Sequence, residues 1–321
     1  MAEARRKTLE ELRTDAKRGG ADSPGRTPPR KKEKWWHSLL YAAVIALVIR
    51  SFFIEAFRIP TGSMKNSLLV GDHLFVNKLS YYFKTPKYIP FTAIPIPHFG
   101  FKTFEVQRGD VVVFEYPGDR DLVEPREKNV NYIKRCIGLP GDTVEIRDKQ
   151  AYVNGKIFPN PEGLRYNDKS YPQNHPDPGG GRMFPRGVEN WNRDWYGPIY
   201  VPKEGDVIDL TPENFQAWEV FIQREGHTAR LGDQGTVIID GMPTSKYTVE
   251  RDYLWMMGDN RDASEDSRYW GFCPYENVVG SALFIYWSMY NPPGQANVDG
   301  FDDEEVQSFK IRWNRLFNAI K

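Results

Sequence analysis

The hydrophobic pattern begins with one long apolar run and then changes period. Trp35-Trp-His-Ser-Leu-Leu-Tyr-Ala-Ala-Val-Ile-Ala-Leu-Val-Ile49 is followed by Arg50 and Ser-Phe-Phe-Ile54. Its charge-free centre, Leu39 to Ile49, is short enough for a buried helix or the apolar stretch of a secretory leader. Counted from Trp35 to Ile54 it reaches 20 residues, enough to span a bilayer if Arg50 extends to the interface. Short runs follow: His73–Val76, Val111–Tyr116, Tyr132–Ile137, Thr143–Ile146, Thr236–Ile239, Tyr253–Met257 and Ala282–Trp287. Turn signals separate them, among them Pro140-Gly-Asp, Asn154-Gly and Asp240-Gly, which predicts an all-β domain rich in hairpins. Val111-Val-Val-Phe114 lacks alternation, so both its faces are expected to be buried.

Residues 158–202 break the pattern, with 8 Pro and 6 Gly but also eight aromatics, including Trp191, Trp195 and Tyr196. That combination predicts an irregular but packed subdomain rather than disorder. Residues 211–225 read as a short helix, with Thr211 as N-cap and Pro212 at its first position. The tail passes through Asp302-Asp-Glu-Glu305 and ends in Phe309–Ile320, whose spacing predicts an amphipathic helix lying on a membrane or on the domain itself.

Composition narrows the classes. The chain has 321 residues, with 43 Lys+Arg balanced by 43 Asp+Glu. Balance argues against nucleic-acid binding through a global basic field. The charge is unevenly placed, however: residues 1–34 carry +5 and read as a disordered basic arm. Set directly before the tryptophans, the arm orients the apolar run with its N-terminus in the cytoplasm. A signal anchor is therefore favoured over a core helix or a cleaved leader. A leader would need an unusually long basic region, and no small-x-small site follows directly. Two cysteines, Cys136 and Cys273, are too few for a disulfide scaffold and leave free thiols or one bridge open. Five scattered histidines without an HExxH pair imply no metal.

Candidate chemistry begins just beyond the apolar run, at Ile59-Pro-Thr-Gly-Ser-Met64. Gly62 would let another backbone approach beside Ser63. There is no GxSxG elbow and no histidine with a triad partner. Three further blocks follow: Arg108-Gly-Asp-Val-Val-Val-Phe-Glu-Tyr-Pro117, Tyr132-Ile-Lys-Arg-Cys-Ile-Gly-Leu-Pro-Gly-Asp142 and Gly258-Asp-Asn-Arg-Asp-Ala-Ser-Glu-Asp-Ser-Arg-Tyr-Trp-Gly271. In this order behind an anchor, these blocks resemble the bacterial type I signal peptidases. Residues 158–235 and the tail carry little of the likeness.

The resemblance implies a mainly β fold: a signal-peptidase-like catalytic sheet with an inserted irregular subdomain behind one transmembrane helix. The expected organisation is arm 1–34, anchor 35–54, catalytic core 55–157, insertion 158–235, core again 236–292, and linker with terminal helix 293–321. By the same resemblance Ser63 is the nucleophile and Lys134 its general base. Thr61 is an oxyanion donor, where the family often has serine, and Ser264 orients the lysine. Asp266 and Arg268 form a supporting ion pair. Phe57, Ile59 and Ile133 wall small substrate pockets, and Pro60 and Met64 shape the cleft. The implied reaction is removal of signal peptides from exported preproteins after a small-x-small site, outside the cytoplasmic membrane. The expected partners are preproteins and phospholipid, with secretion machinery a candidate, and with no nucleic acid, metal or other cofactor.

Physical chemistry sets a condition on Lys134. A free lysine titrates near 10.4, so bringing it to 7 requires about 4.6 kcal/mol of differential destabilisation. Burial among apolar groups can provide this, and Tyr132, Ile133, Cys136 and Ile137 are suitable neighbours. Strand geometry puts Lys134 and Cys136 on one face and Arg135 on the other, where it is expected to be structural or at the surface. Rival readings are a self-cleaving Ser/Lys repressor-type peptidase and an anchored binding protein that keeps the fold without catalysis.

Overall fold

The computed structural model describes residues 35–86, 88, 92, 94–97, 99–126, 128, 130–177, 183–188, 190–289 and 310–320. The arm expected over 1–34 lies outside them. Two compact units divide the chain after Ala46. The apolar run is one helix, α1 (Trp35–Phe52), and none of its 18 residues is buried. At 1.5 Å per residue it measures about 27 Å, close to the hydrocarbon thickness of a bilayer. It is a candidate membrane span by length and composition.

The second unit holds every described strand. β1 (Ile54–Arg58) and β2 (Asp72–Asn77) flank a 3-10 turn at Gly62–Met64, and β3 (Tyr82–Lys84) pairs with β4 (Gly100–Lys102). β5 (Val111–Glu115), β6 (Asn131–Gly138), β7 (Thr143–Arg147), β8 (Gln150–Val153) and β9 (Lys156–Ile157) follow. Then come β10 (Tyr196–Tyr200), β11 (Val207–Asp209) and α2 (Pro212–Arg224). β12 (Ala229–Leu231), β13 (Val237–Ile239), β14 (Met242–Pro243) and β15 (Lys246–Thr248) lead to β16 (Tyr253–Met257). The single turn α3 (Ser267–Trp270), β17 (Cys273–Pro274) and the long β18 (Val278–Ser288) complete the chain-order series.

The main sheet runs β1-β2-β18-β5-β6-β16-β17, antiparallel throughout. This is the mainly β fold that the sequence predicts. Val111–Phe114 is buried on both faces, as its unbroken apolar run requires: Val111 and Val113 join Ile59, Met64, Leu68 and Leu74, while Val112 and Phe114 join Cys136, Leu254, Met256 and Trp270. β16 likewise sends Trp255 and Met257 into a third core against α2 and the second sheet, β10-β7-β8-β9. That sheet joins strands from before and after residue 158, so residues 158–200 share their packing with the hairpin β7–β8. Of the aromatics in 158–202, Phe158, Phe184 and Tyr196 are buried, Trp191 and Trp195 are half-buried, and Tyr200 is exposed.

Turn chemistry sets the registers. Asn154-Gly155 and Asp240-Gly241 both take positive φ at both positions, the two-residue hairpin turn that matches strand twist. α2 begins with a reciprocal capping box between Thr211 and Asn214 and has Pro212 in its first turn. The thiols are free. Cys136 and Cys273 pair with different residues on opposite edges of β16, so about 10 Å separates their strands, beyond disulfide reach.

One predicted element does not form. Within Phe309–Ile320 the described residues make one 3-10 turn, Trp313–Arg315, instead of an amphipathic helix. β5 pairs with only the first part of β18, leaving the rest of that edge open. Residues 311–320 fill it: Ile285 N donates to Asn318 O, Phe317 N to Ile285 O and Ile320 N to Leu283 O. Arg315 grips the buried Asp72 at 2.6 Å. Strand-edge hydrogen bonds and a buried ion pair outweigh the modest intrinsic helix propensity.

Candidate active site

Ser63 lies in the 3-10 turn between β1 and β2, and Lys134 in the middle of β6. Lys134 Nζ is 2.9 Å from Ser63 Oγ and 3.2 Å from the Ile133 carbonyl. Both side chains are buried, at 4% and 8% exposure. Val112 faces Lys134 across the sheet, and the Tyr132 ring lies 5.0 Å from Nζ. Burial lowers the Lys134 pKa to about 8, although the fields of Asp266, Glu265 and Asp259 oppose it. A neutral amine at this distance can accept the Ser63 hydroxyl proton.

The turn is held from outside by the loop after β16. Asn260 N donates to Ser63 O at 3.0 Å, and Asn260 Nδ2 to Gly62 O at 3.0 Å. Asp259 N donates to the Met64 sulfur. The close approach expected at Gly62 occurs instead at Gly258. A Cβ on Gly62 would meet nothing within 4 Å, whereas one on Gly258 would lie 2.6 Å from Ser63 O and 2.1 Å from Ser264 Oγ.

Arg135 points to the other face and is buried rather than at the surface. Its guanidinium makes a bidentate pair with Asp259 at 2.8 and 2.7 Å. Ser67 Oγ donates to the same carboxylate at 2.5 Å. Asp259 and Asn260 therefore tie the serine turn to β6. Sequence reasoning assigned them no role, because a Gly-Asp-Asn turn discloses no partner 124 or 198 residues away.

The remaining expected residues separate. Asp266 and Arg268 form a fully buried bidentate pair at 2.8 Å on both contacts. Asp266 also accepts from Gly258 N, and Arg268 donates to Arg261 O at 2.6 Å. Ser264 is buried, but its Oγ has no hydrogen-bond partner; the bond to Lys134 that the resemblance implies does not form here. The Thr61 side chain is exposed and makes no capping bond. Ile59 and Met64 are core residues, Phe57 and Ile133 are half-buried against them, and Pro60 is exposed.

Comparison with known proteins gives this geometry its setting. Residues 32–287 match the family described as signal peptidase, peptidase S26. Signal peptidase I of Pseudomonas aeruginosa is 33% identical over 268 residues, covering 80% of this chain and 72% of that protein. Signal peptidase I of Helicobacter pylori strain J99 is 30% identical over 284 residues, covering 87% and 89%. The class follows: the chain is a serine peptidase, a hydrolase. Within that class it belongs to the signal peptidase family, peptidase S26.

Proposed function

We propose that the chain is a signal peptidase I that removes signal peptides from exported preproteins by a serine–lysine mechanism. The observation that carries this reading is the 2.9 Å contact between Ser63 Oγ and a buried Lys134 whose pKa is lowered to about 8. Neutral Lys134 takes the Ser63 proton as Oγ attacks the scissile carbonyl. The oxyanion is held by Ser63 N–H and the Thr61 hydroxyl. Protonated Lys134 then gives its proton to the leaving amine. Water, deprotonated by the same lysine, hydrolyses the acyl-enzyme. Ser264, whose buried Oγ makes no other hydrogen bond, is the residue that would orient the lysine, and Asp266 with Arg268 buttresses the loop.

Substrate binds as an extended strand. Phe57, Ile59 and Ile133 limit the −1 and −3 residues to small side chains, Pro60 shapes the rim, and the buried Met64 shapes the cleft from beneath. The helix α1 anchors the chain with its N-terminus in the cytoplasm and the sheet outside, following the basic arm. In this organisation 55–157 and 236–292 make the catalytic core around the 158–235 insertion.

The test is cleavage of a preprotein with a small-x-small site, in detergent with chelator present. Wild type should cut after the −1 residue, and Ser63→Ala and Lys134→Ala should each lose at least about a thousandfold. Near-normal cleavage by Lys134→Ala would identify another base and refute the mechanism.

A further inference from the structure

Residues 162–168 lie against both the serine loop and the 259–262 loop that holds it. On one side Gly163 packs on the serine loop, where a Cβ would fall 1.9 Å from Ser67 Oγ and 2.8 Å from Ser67 N. On the other side Arg165 runs parallel to Asn260: its N–H donates to Asp259 O at 2.9 Å, and its carbonyl accepts from Arg261 N at 3.0 Å. Asn167 Nδ2 donates to Asn260 Oδ1 at 2.9 Å. That bond fixes the Asn260 amide with its own NH2 aimed at Gly62 O, 3.0 Å away. A relay of two side-chain amides thus runs from the insertion to the peptide unit preceding Ser63.

A second tie reaches the same loop. Asp262 Oδ2 accepts from Asn167 N at 2.6 Å and from Asp168 N at 2.9 Å, while Oδ1 pairs with Lys149 at 2.8 Å. Lys149 sits at φ 70 in the β7–β8 turn, a conformation that costs a non-glycine residue free energy. It is held there between Asp262 and Asp194.

From these contacts we infer that the leading segment of the insertion, through Gly163 and Asn167, positions the Ser63 turn for attack. The inference rests on the Ser63–Lys134 reading proposed above. Asn167 touches neither the serine hydroxyl nor the lysine; it is a positioning residue that acts through Asn260. Attack geometry is sensitive to small displacements, and a shift of about 1 Å can cost a hundredfold. The groups that bond Lys134 or shift its pKa, namely Ser63, Ile133, Tyr132, Asp266, Glu265 and Asp259, lie outside 162–168, so its titration should not move with these variants.

The experiment uses the full chain in detergent. Active sites are counted by the burst of p-nitrophenol from a small-x-small peptide p-nitrophenyl ester. With the sites counted in this way, Asn167→Ala and Gly163→Ala should lower kcat for preprotein cleavage per titrated site about tenfold. KM and the alkaline shift of the activity profile should stay as in wild type, and Asn167→Gln, which keeps a donor, should recover part of the rate. A normal kcat per titrated site, with the loss confined to fewer sites or a lower Tm, overturns the inference. Asn167→Ala only removes atoms and gives the answer even where Gly163→Ala fails to fold. Ser63→Ala separates the two failures. If it is inert while Asn167→Ala cleaves at full rate, only the positioning role falls; if it still cleaves, the serine reading falls and takes the relay with it.

Discussion

Lys134 and Arg135 are neighbours on β6, each 4% exposed, and they accommodate a buried cation in opposite ways. Arg135 has a bidentate carboxylate at hydrogen-bond distance, so its charge is compensated and its role is to hold. Lys134 has a serine hydroxyl and a carbonyl as its hydrogen-bond partners, with its carboxylates acting only through space. Burial then falls on the charged form. Lowering the pKa from 10.5 to about 8 corresponds to about 3 kcal/mol. The same strand therefore carries a permanent charge on one face and a titrating base on the other, and the partner, not the depth, makes the difference.

The largest effect should come from making the two faces alike. Lys134→Arg puts a permanent charge in place of the proposed base and should abolish cleavage, by at least about a thousandfold in kcat/KM. The fold should be retained by circular dichroism. Arg135→Met is the reciprocal change. It strands the Asp259 carboxylate and should destabilise the protein by about 3–5 kcal/mol, measured by denaturant unfolding.

The pH dependence sharpens the contrast. With its pKa near 8, Lys134 is about 1% neutral at pH 6 and half neutral at pH 8, so kcat/KM should rise about fiftyfold across that range. A flat profile would mean that Lys134 is not the base. Its effect on stability has the opposite sign from that of Arg135. Between pH 8 and 10.5 the unfolded chain holds the lysine proton and the native protein does not, so wild-type stability rises over that interval. Lys134→Met should accordingly be more stable than wild type at pH 7, by about 1–3 kcal/mol, with the advantage fading towards pH 10.5.

The smallest effect belongs to a histidine near the surface. His227 bridges Asp240 at 2.6 Å and Glu250 at 2.9 Å, and the hydrogen bond to Asp240, followed by that to Glu250, raises its pKa. That stabilisation is complete below pH 6.5 and is lost as pH rises through the raised value. Because its two carboxylate partners are about half exposed and screened by water, His227→Gln should move Tm by only about 1 °C at acidic pH and not at all well above it.

The strands were legible because a sheet buried on both faces demands unbroken apolar runs, as in Val111–Phe114. Alternation also placed Arg135 opposite Lys134, but it said nothing about Asp259, whose side chain sits 124 residues away. The blocks that resemble the family named Ser63 and Lys134, which the structure brings within hydrogen-bond distance. Ser264 was matched by position, yet hydrogen bonding depends on side-chain direction, which a linear motif does not encode. The role of Asn167 was invisible for another reason: amides pair with almost any polar group, so only proximity reveals the choice. Phe309–Ile320 misled because apolar spacing fits a helix as well as a strand-edge cover, and the open edge of β18 decided the matter.

That edge has a consequence for the order of events during synthesis. Arg315, which neutralises the buried Asp72 beside the serine loop, is made 243 residues after it. Until Arg312 and Arg315 emerge, Asp72 lacks both cations, and the later part of β18 has an open edge. The carboxylate beside the serine loop therefore gains its two cations only after every strand of the main sheet has been made.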